Sequence, residues 1–351
     1  MVSPSLFDWA PTPTQRPSRF GTARAFVWSP QGAIALILLV AAVLRFVGID
    51  WDAGQHLHPD ERFITIVESQ VRLPNGLAEY FDTAHSPLNP YNHDFGSFIY
   101  GTLPLFLVRA LGEGLQQVGR SIDPTTAPPF LTDLLGHLKN AADYGEVNRI
   151  GRILSGVEDL VTIWLVFLMG RRLYGEPIGL LAALFSGLAV LQIQAAHFFT
   201  AESSEVLLTT LALYLAVRLA QTNELRSWAF LGIAVGLAIA TKLTAGLILL
   251  VVLGAAWMVW RRRSPTAASA FSLENLITGL VVGGVSAAIV FRIAQPYAFS
   301  GPGFFDLAPN PKYLADLQSW QRIASGQADY PPSDQWTGTT PYVWQLINMA
   351  L

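Results

Sequence analysis

Apolar stretches of membrane length alternate with short polar breaks along most of this chain. Runs at 31–48, 153–170, 177–196, 204–220, 226–241, 243–260 and 274–295 carry enough apolar residues to cross a hydrocarbon layer of roughly 30 Å as helices. A further run, 96–111, is short for that task and is interrupted by Pro104, so it predicts a helix lying in the interface. Between the first two long runs, Phe63, Ile64, Val67 and Val71 recur at helical spacing after Asp60, the pattern of an amphipathic helix. Residues 121–130 read as a Pro-rich loop and Leu131 to Lys139 as a short helix. The stretch 298–340 is a second long loop, and from Thr340 to Leu351 a helical pattern starts without a terminator, which predicts a longer protein. The expected fold is all-α: a polytopic membrane protein of about seven transmembrane helices with a large first external loop carrying interfacial helices. Its expected parts are an N-terminal segment, 1–30, a transmembrane module, 31–297, with its loop 49–149, and the second loop with the start of a further helix, 298–351.

Composition agrees with the pattern. The 351 residues are 52% hydrophobic and 13% charged, about half the charged fraction of an ordinary soluble domain. Charge placement then sets orientation. Arg16, Arg19 and Arg24 precede the first run, and Arg171-Arg172 and Arg261-Arg262-Arg263 are the densest basic clusters; all are expected in the cytoplasm. Four spans separate the two clusters, and two separate the amino terminus from the first, provided that 96–111 does not cross. Residues 49–149 then lie outside, with 13 Asp/Glu against 6 Lys/Arg. The expected location is the plasma (inner) membrane, multi-pass, with the N-terminus cytoplasmic and the site on the outer face. The first 30 residues show no cleavable-signal pattern. A net charge of −3 argues against nucleic acid as the main partner, and the lack of cysteine excludes disulfides and thiolate metal sites.

Candidate chemistry begins at His58-Pro59-Asp60-Glu61, about a dozen residues beyond the first run, with Asp52, His56 and Arg62 around it. Two adjacent carboxylates and an imidazole at that depth suit acid–base or ion chemistry; the plain alternative is a solvated loop in which Asp60 caps a helix. Four cations depart from the cytoplasmic pattern: Arg149 and Arg152 at the entrance of the second span, Lys242 in the turn Ala240-Thr241-Lys242-Leu243, and Arg292 before Gln295-Pro296-Tyr297. Cations in the outer interface suit the phosphate of a lipid-linked donor or, alternatively, snorkel to headgroups. Glu202 and Glu205 fit helix capping, a metal or an acceptor equally. His93 and Asp94, if folded towards Asp60, would suit a divalent cation; no spacing specifies one, so the metal is unknown and no cofactor is certain. His85 and His137 read as surface or packing residues. Trp320, Trp336 and Trp344 read as interface anchors, with a sugar ring stacked on one as the alternative.

Several short pieces occur in a telling order: His58-Pro59-Asp60-Glu61, Tyr100-Gly101-Thr102-Leu103-Pro104, Gly170-Arg171-Arg172-Leu173-Tyr174-Gly175, Ala196 to Glu202, Ala240-Thr241-Lys242 and Gln295-Pro296-Tyr297-Ala298-Phe299. From about residue 30 to 350 the chain resembles the C-type fold of integral membrane glycosyltransferases, especially bacterial relatives of protein O-mannosyltransferases and of the lipid A aminoarabinose transferase. Glu79 to Thr83 and Ser86 to Pro90 are also similar to large bacterial and archaeal membrane proteins of unassigned function that share this fold. The resemblance implies transfer of a sugar from a polyprenyl-phosphate carrier to an acceptor on the outer face, with Asp60 matching the family's general base. Two positions depart from it: Glu202 stands where relatives often carry Asp, and His93-Asp94-Phe95-Gly96 replaces a His-Pro-Pro or Lys-Pro segment, so lipid-phosphate binding does not carry over to that segment.

On this reading Lys242 and Arg292, with Arg149 and Arg152, hold the donor phosphate, while Glu61 and His58 orient Asp60 or hold a cation. The implied partners are a lipid-linked sugar donor, membrane lipids and an acceptor that is protein, lipid or glycan. The rival reading is a non-catalytic subunit or scaffold of a larger membrane complex, which predicts no open pocket at Asp60. A transporter is disfavoured because no inverted repeat is visible.

Overall fold

The structure is a computed structural model that describes residues 29–123, 128–262, 272–325, 327–328, 339–340 and 343–350. Arg16, Arg19, Arg24, Arg263, Trp336 and nearly all of the segment 1–30 lie outside the described residues. The chain is an all-α polytopic membrane protein, and the extended pairing among the described residues is a single bridge between Phe299 and Pro309. Helix α1 (Pro30–Phe46) starts where Ser29 Oγ accepts the Gly32 N–H and Pro30 takes the first helical position. The first long loop holds α2 (Pro59–Gln70), the short α3 (Leu77–Phe81), α4 (Thr102–Ser121) and α5 (Thr132–Lys139). The bundle continues with α6 (Tyr144–Tyr174), α7 (Glu176–Leu188), α8 (Val190–Ala195), α9 (Ala201–Thr222), α10 (Leu225–Thr241), α11 (Ile248–Arg261, after a 3-10 turn Leu243–Leu247) and α12 (Leu273–Ala294). Helices α13 (Pro311–Ala324) and α14 (Val343–Ala350) follow in the chain.

Four of these segments are long and apolar enough to cross a membrane: Tyr144–Tyr174, Ala201–Thr222, Leu243–Arg261 and Leu273–Ala294. The shorter apolar helices Pro30–Phe46, Glu176–Leu188 and Leu225–Thr241 occupy the other three expected positions. The expected span 177–196 is not one continuous helix, because Ala189 is extended and divides α7 from α8. A break at membrane depth leaves carbonyls without helical partners. Arg45 of α1 meets them, donating to Gly187 O at 2.7 Å and Ser186 O at 3.5 Å, and its Nε lies 2.5 Å from Asp159 Oδ2 of α6.

Small residues allow close helix contact elsewhere. A Cβ at Gly232 of α10 would lie 2.1 Å from Gly283 O of α12, the backbone proximity expected where apolar lipid gives helices no hydrophobic drive to associate. In the first long loop, Ile64, Val67 and Val71 are buried against Leu105 and Val108 of α4 and Val147 of α6, as the periodicity predicts. The expectation for 96–111 needs correction: the helix begins at Thr102 and runs to Ser121. Pro104 falls in its first turn, where the missing N–H would have no helical partner in any case. Helix α13 was not expected; its start carries a capping signal, with Asn310 Oδ1 accepting the Lys312 N–H ahead of Pro311.

Candidate active site

The acidic pair divides by environment because consecutive helical residues point about 100° apart. Helix α2 is capped by His58, not by Asp60: His58 Nδ1 accepts the Glu61 N–H at 3.3 Å, and its ring lies 4.3 Å from that of Phe198. Glu61 is fully buried. It accepts Arg152 Nε at 2.7 Å, Arg152 Nη2 at 2.8 Å and the Phe199 N–H at 2.9 Å. Arg152 is also fully buried and spends its remaining donors on Asp52 Oδ1 at 3.0 Å, Asp52 Oδ2 at 2.8 Å and Ile49 O at 2.9 Å. The Arg152 guanidinium holds the Asp52 carboxyl down at about 2. All five Arg152 N–H groups are engaged, so it has none for a phosphate, and Glu61 faces inward as its counter-charge. Arg152, expected to hold a phosphate, and Glu61, expected to act in catalysis, are instead engaged with each other inside the bundle. Asp60, one residue earlier, is exposed and has no ion-pair partner among the described residues.

Lys242 terminates α10, and its Nζ lies 2.9 Å from Glu202 Oε1, in the first turn of α9, and 3.4 Å from Glu205 Oε2 in the next. Glu205 Oε1 also accepts the Thr244 hydroxyl at 2.9 Å. The Lys242 turn is built against the first loop. Gly101 N–H donates to Thr241 O at 3.0 Å, and a Cβ on Gly101 would sit 2.0 Å from Ala240 O, so only glycine fits. Next to it, Thr102 N–H donates to Gln295 Oε1 at 2.8 Å, and the Thr102 hydroxyl bonds to Ala294 O at 2.7 Å. Three motifs far apart in the chain, around residues 101, 241 and 295, thus meet at one place. Beside them lies a largely apolar cavity of about 750 Å³, whose wall includes Tyr100, Gly101, Lys242, Gln295, Tyr313 and Trp320.

Other expected site residues lie elsewhere. Arg292 is buried, donating to Phe304 O at 3.0 Å, Gly303 O at 2.6 Å and Pro296 O at 3.3 Å. Its guanidinium sits 4.8 Å from the Phe81 ring centroid and 4.9 Å from that of Phe299. It fastens the end of α12 to the following turn and does not line the cavity, which corrects its expected phosphate role. Arg149 pairs with Asp50 and, at 3.4 Å, with Glu146, and contacts His137 at 2.9 Å, forming a surface network. His93 Nε2 contacts Pro87 O at 2.9 Å, and Asp94 lines a separate pocket of about 270 Å³ with Lys312. No group of three His, Cys, Asp or Glu residues able to hold a metal ion occurs among the described residues. Asp60 and Arg292 do not share the cavity that Lys242 lines.

Several polar residues were not singled out from the sequence. Arg45 and Asp159 form their buried pair, and the hydroxyl of Ser204 lies 2.8 Å from each oxygen of Glu158. Their sequence signal was present: charge inside an apolar run. Glu68 and Arg109 face each other, buried, at 3.3 Å between α2 and α4.

No curated protein matches the chain in sequence. Residues 143–295, from α6 to the Gln295 that closes on Thr102, match the model of a family described as dolichyl-phosphate-mannose-protein mannosyltransferase, so this part of the chain is similar to mannosyltransferase-like membrane glycosyltransferases.

Proposed function

We propose that the protein moves a sugar from a polyprenyl-phosphate carrier to an acceptor hydroxyl on the outer face of the plasma membrane. The supporting observation is the cavity of about 750 Å³, apolar over most of its wall and carrying the Lys242 ammonium, at the junction of three motifs. Its volume falls within the roughly 300–1,000 Å³ typical of small-molecule sites. An apolar wall suits prenyl units, and the ammonium suits the phosphate. Lysine has three N–H donors, two of which face Glu202 and Glu205, leaving one for a phosphate oxygen. Those carboxylates offset much of the lysine's charge, so apolar contact supplies most of the donor's binding.

Asp60 is the proposed base. It projects to solvent from the first turn of α2, and the Glu61–Arg152–Asp52 cluster fixes that turn to the bundle. Asp60 stands outside the wall of that cavity, so the reaction requires the bound donor's sugar to extend from Lys242 towards the first turn of α2. There the acceptor O–H proton passes to Asp60 while the acceptor oxygen bonds to the anomeric carbon from the face opposite the phosphate. The bond from that carbon to the phosphate oxygen breaks, and its electron pair leaves on the carrier phosphate beside Lys242.

The full chain in lipid nanodiscs, given polyprenyl-phosphate mannose and a membrane extract as acceptor, is expected to release polyprenyl phosphate. Asp60→Asn should slow release by about 10²-fold or more. Lys242→Ala should raise the donor concentration needed for half-maximal rate. Wild-type release by Asp60→Asn would remove Asp60 as the base; no release by the native chain would refute the transferase reading.

A further inference from the structure

The cavity beside Lys242 has two walls of different chemistry. On the bundle side Ile239, Leu243 and Leu247 present aliphatic surface. On the opposite side stands α13, which contributes Tyr313, Asp316, Leu317, Trp320, Gln321 and Ala324. These positions follow i, i+3, i+4, i+7, i+8 and i+11, so a single stripe of one helix forms that wall. The stripe contains two aromatic rings, a carboxylate and an amide, a composition that a hydrocarbon tail does not need.

The wall is fixed in place. Asp316 is buried, and its Oδ2 accepts the Tyr91 hydroxyl at 2.8 Å and the Phe98 N–H at 2.9 Å. At the helix start, Asn310 Nδ2 donates to Tyr297 O at 2.8 Å and Lys312 Nζ to Tyr91 O at 3.1 Å. Helix α13 is therefore anchored both to the first long loop and to the turn after α12. A ring face held rigidly beside an amide matches a pyranose: the ring covers its C–H face, and the amide offers both a donor and an acceptor to its hydroxyls.

We propose that α13 is the sugar-reading wall of the donor site, with Trp320 and Tyr313 covering the C–H face of the transferred sugar and Gln321 reading its hydroxyls. The inference rests on the proposed use of this cavity for a lipid-linked donor. The phosphate is held at Lys242, the first prenyl units lie along Leu243 and Leu247, and the sugar turns to α13. Asp316 acts as a positioning residue, since its carboxylate holds the helix against the loop.

The test is equilibrium binding to the purified full chain in detergent, using a short polyprenyl phosphate, the same lipid bearing mannose, and the same lipid bearing glucose. The native chain is expected to bind the mannosyl lipid at least about tenfold more tightly than the bare phosphate, a difference of about 1.4 kcal/mol. Trp320→Ala should reduce that advantage to less than twofold, weakening the mannosyl lipid by a larger factor than the bare phosphate. Gln321→Ala, a milder change, should alter the mannose-to-glucose ratio alone. Lys242→Ala should weaken all three lipids alike. Equal binding of the sugar-bearing and bare lipids by the native chain would overturn the role of α13 while leaving the donor cavity standing. So would a Trp320→Ala effect of equal size on every lipid. Failure to bind any of the three would refute the donor cavity itself, and this inference with it.

Discussion

Glu68 lies on the inner face of α2, wholly buried, with Thr65 one turn before it and the Arg109 Nε of α4 opposite at 3.3 Å. Neither its carboxylate oxygens nor Thr65 Oγ1 has a hydrogen-bond partner among the described residues. Burial pushes Glu68 up to about 8; Arg109 opposes that rise and Glu113 adds to it. An acid raised in the folded state binds its proton more tightly there than when unfolded. Its contribution is therefore complete below its ordinary value, near 4.5, and is lost as pH rises towards 8. The melting temperature should fall from pH 5 to pH 8, and Glu68→Gln should flatten that slope and be the more stable form at pH 8; parallel slopes for the two proteins would refute this. At this scale the sequence indicated where chemistry sits but not how it divides. Asp60 and Glu61 are adjacent and alike, and only packing turns one outward and the other onto Arg152. Lys242 and Arg292 both stand near the ends of apolar runs, yet one lines a cavity and the other is enclosed by carbonyls and aromatic rings.

At the scale of elements, apolar periodicity located the helices well and their interruptions poorly. The division at Ala189 has neither proline nor glycine at that position; it coincides with Arg45, a residue of another helix that takes up the freed carbonyls. Helix α4 starts at Thr102, six residues after the apolar run begins, and Pro104, which reads as a breaker from sequence, is harmless in its first turn. The approach of Gly101 to the end of α10 is the contact on which the cavity's shape depends. Gly101→Val would place a Cβ about 2 Å from a backbone carbonyl that cannot rotate away. The cost should be about 1–3 kcal/mol of stability, read by thermal unfolding, together with weaker polyprenyl-phosphate binding. Unchanged stability and binding would show that the loop does not set the cavity.

Across the whole molecule, the first long loop is joined to the bundle by buried charge. Arg152 of α6 holds Asp52, Glu61 and Ile49 O at once, so the entry to α2 is tied to the span beneath it. Removing one partner of such a cluster leaves two carboxylates buried without a cation, at a cost of about 3–5 kcal/mol. Arg152→Met should show that loss in thermal unfolding, and limited proteolysis should cut between Ile49 and Pro59 before the bundle; a melting temperature within a degree of the native value would contradict it. The sequence alone determined the membrane class, the positions of the apolar helices and the order of the motifs, because burial in lipid is written residue by residue as hydrophobicity and its period. Tertiary structure decided which polar residues face inward as counter-charges, which helix is interrupted, and that residues near 100, 242 and 295 share a wall with α13. Those outcomes depend on contacts between residues far apart in the chain, and the partner of a buried charge cannot be read from its own neighbours in sequence.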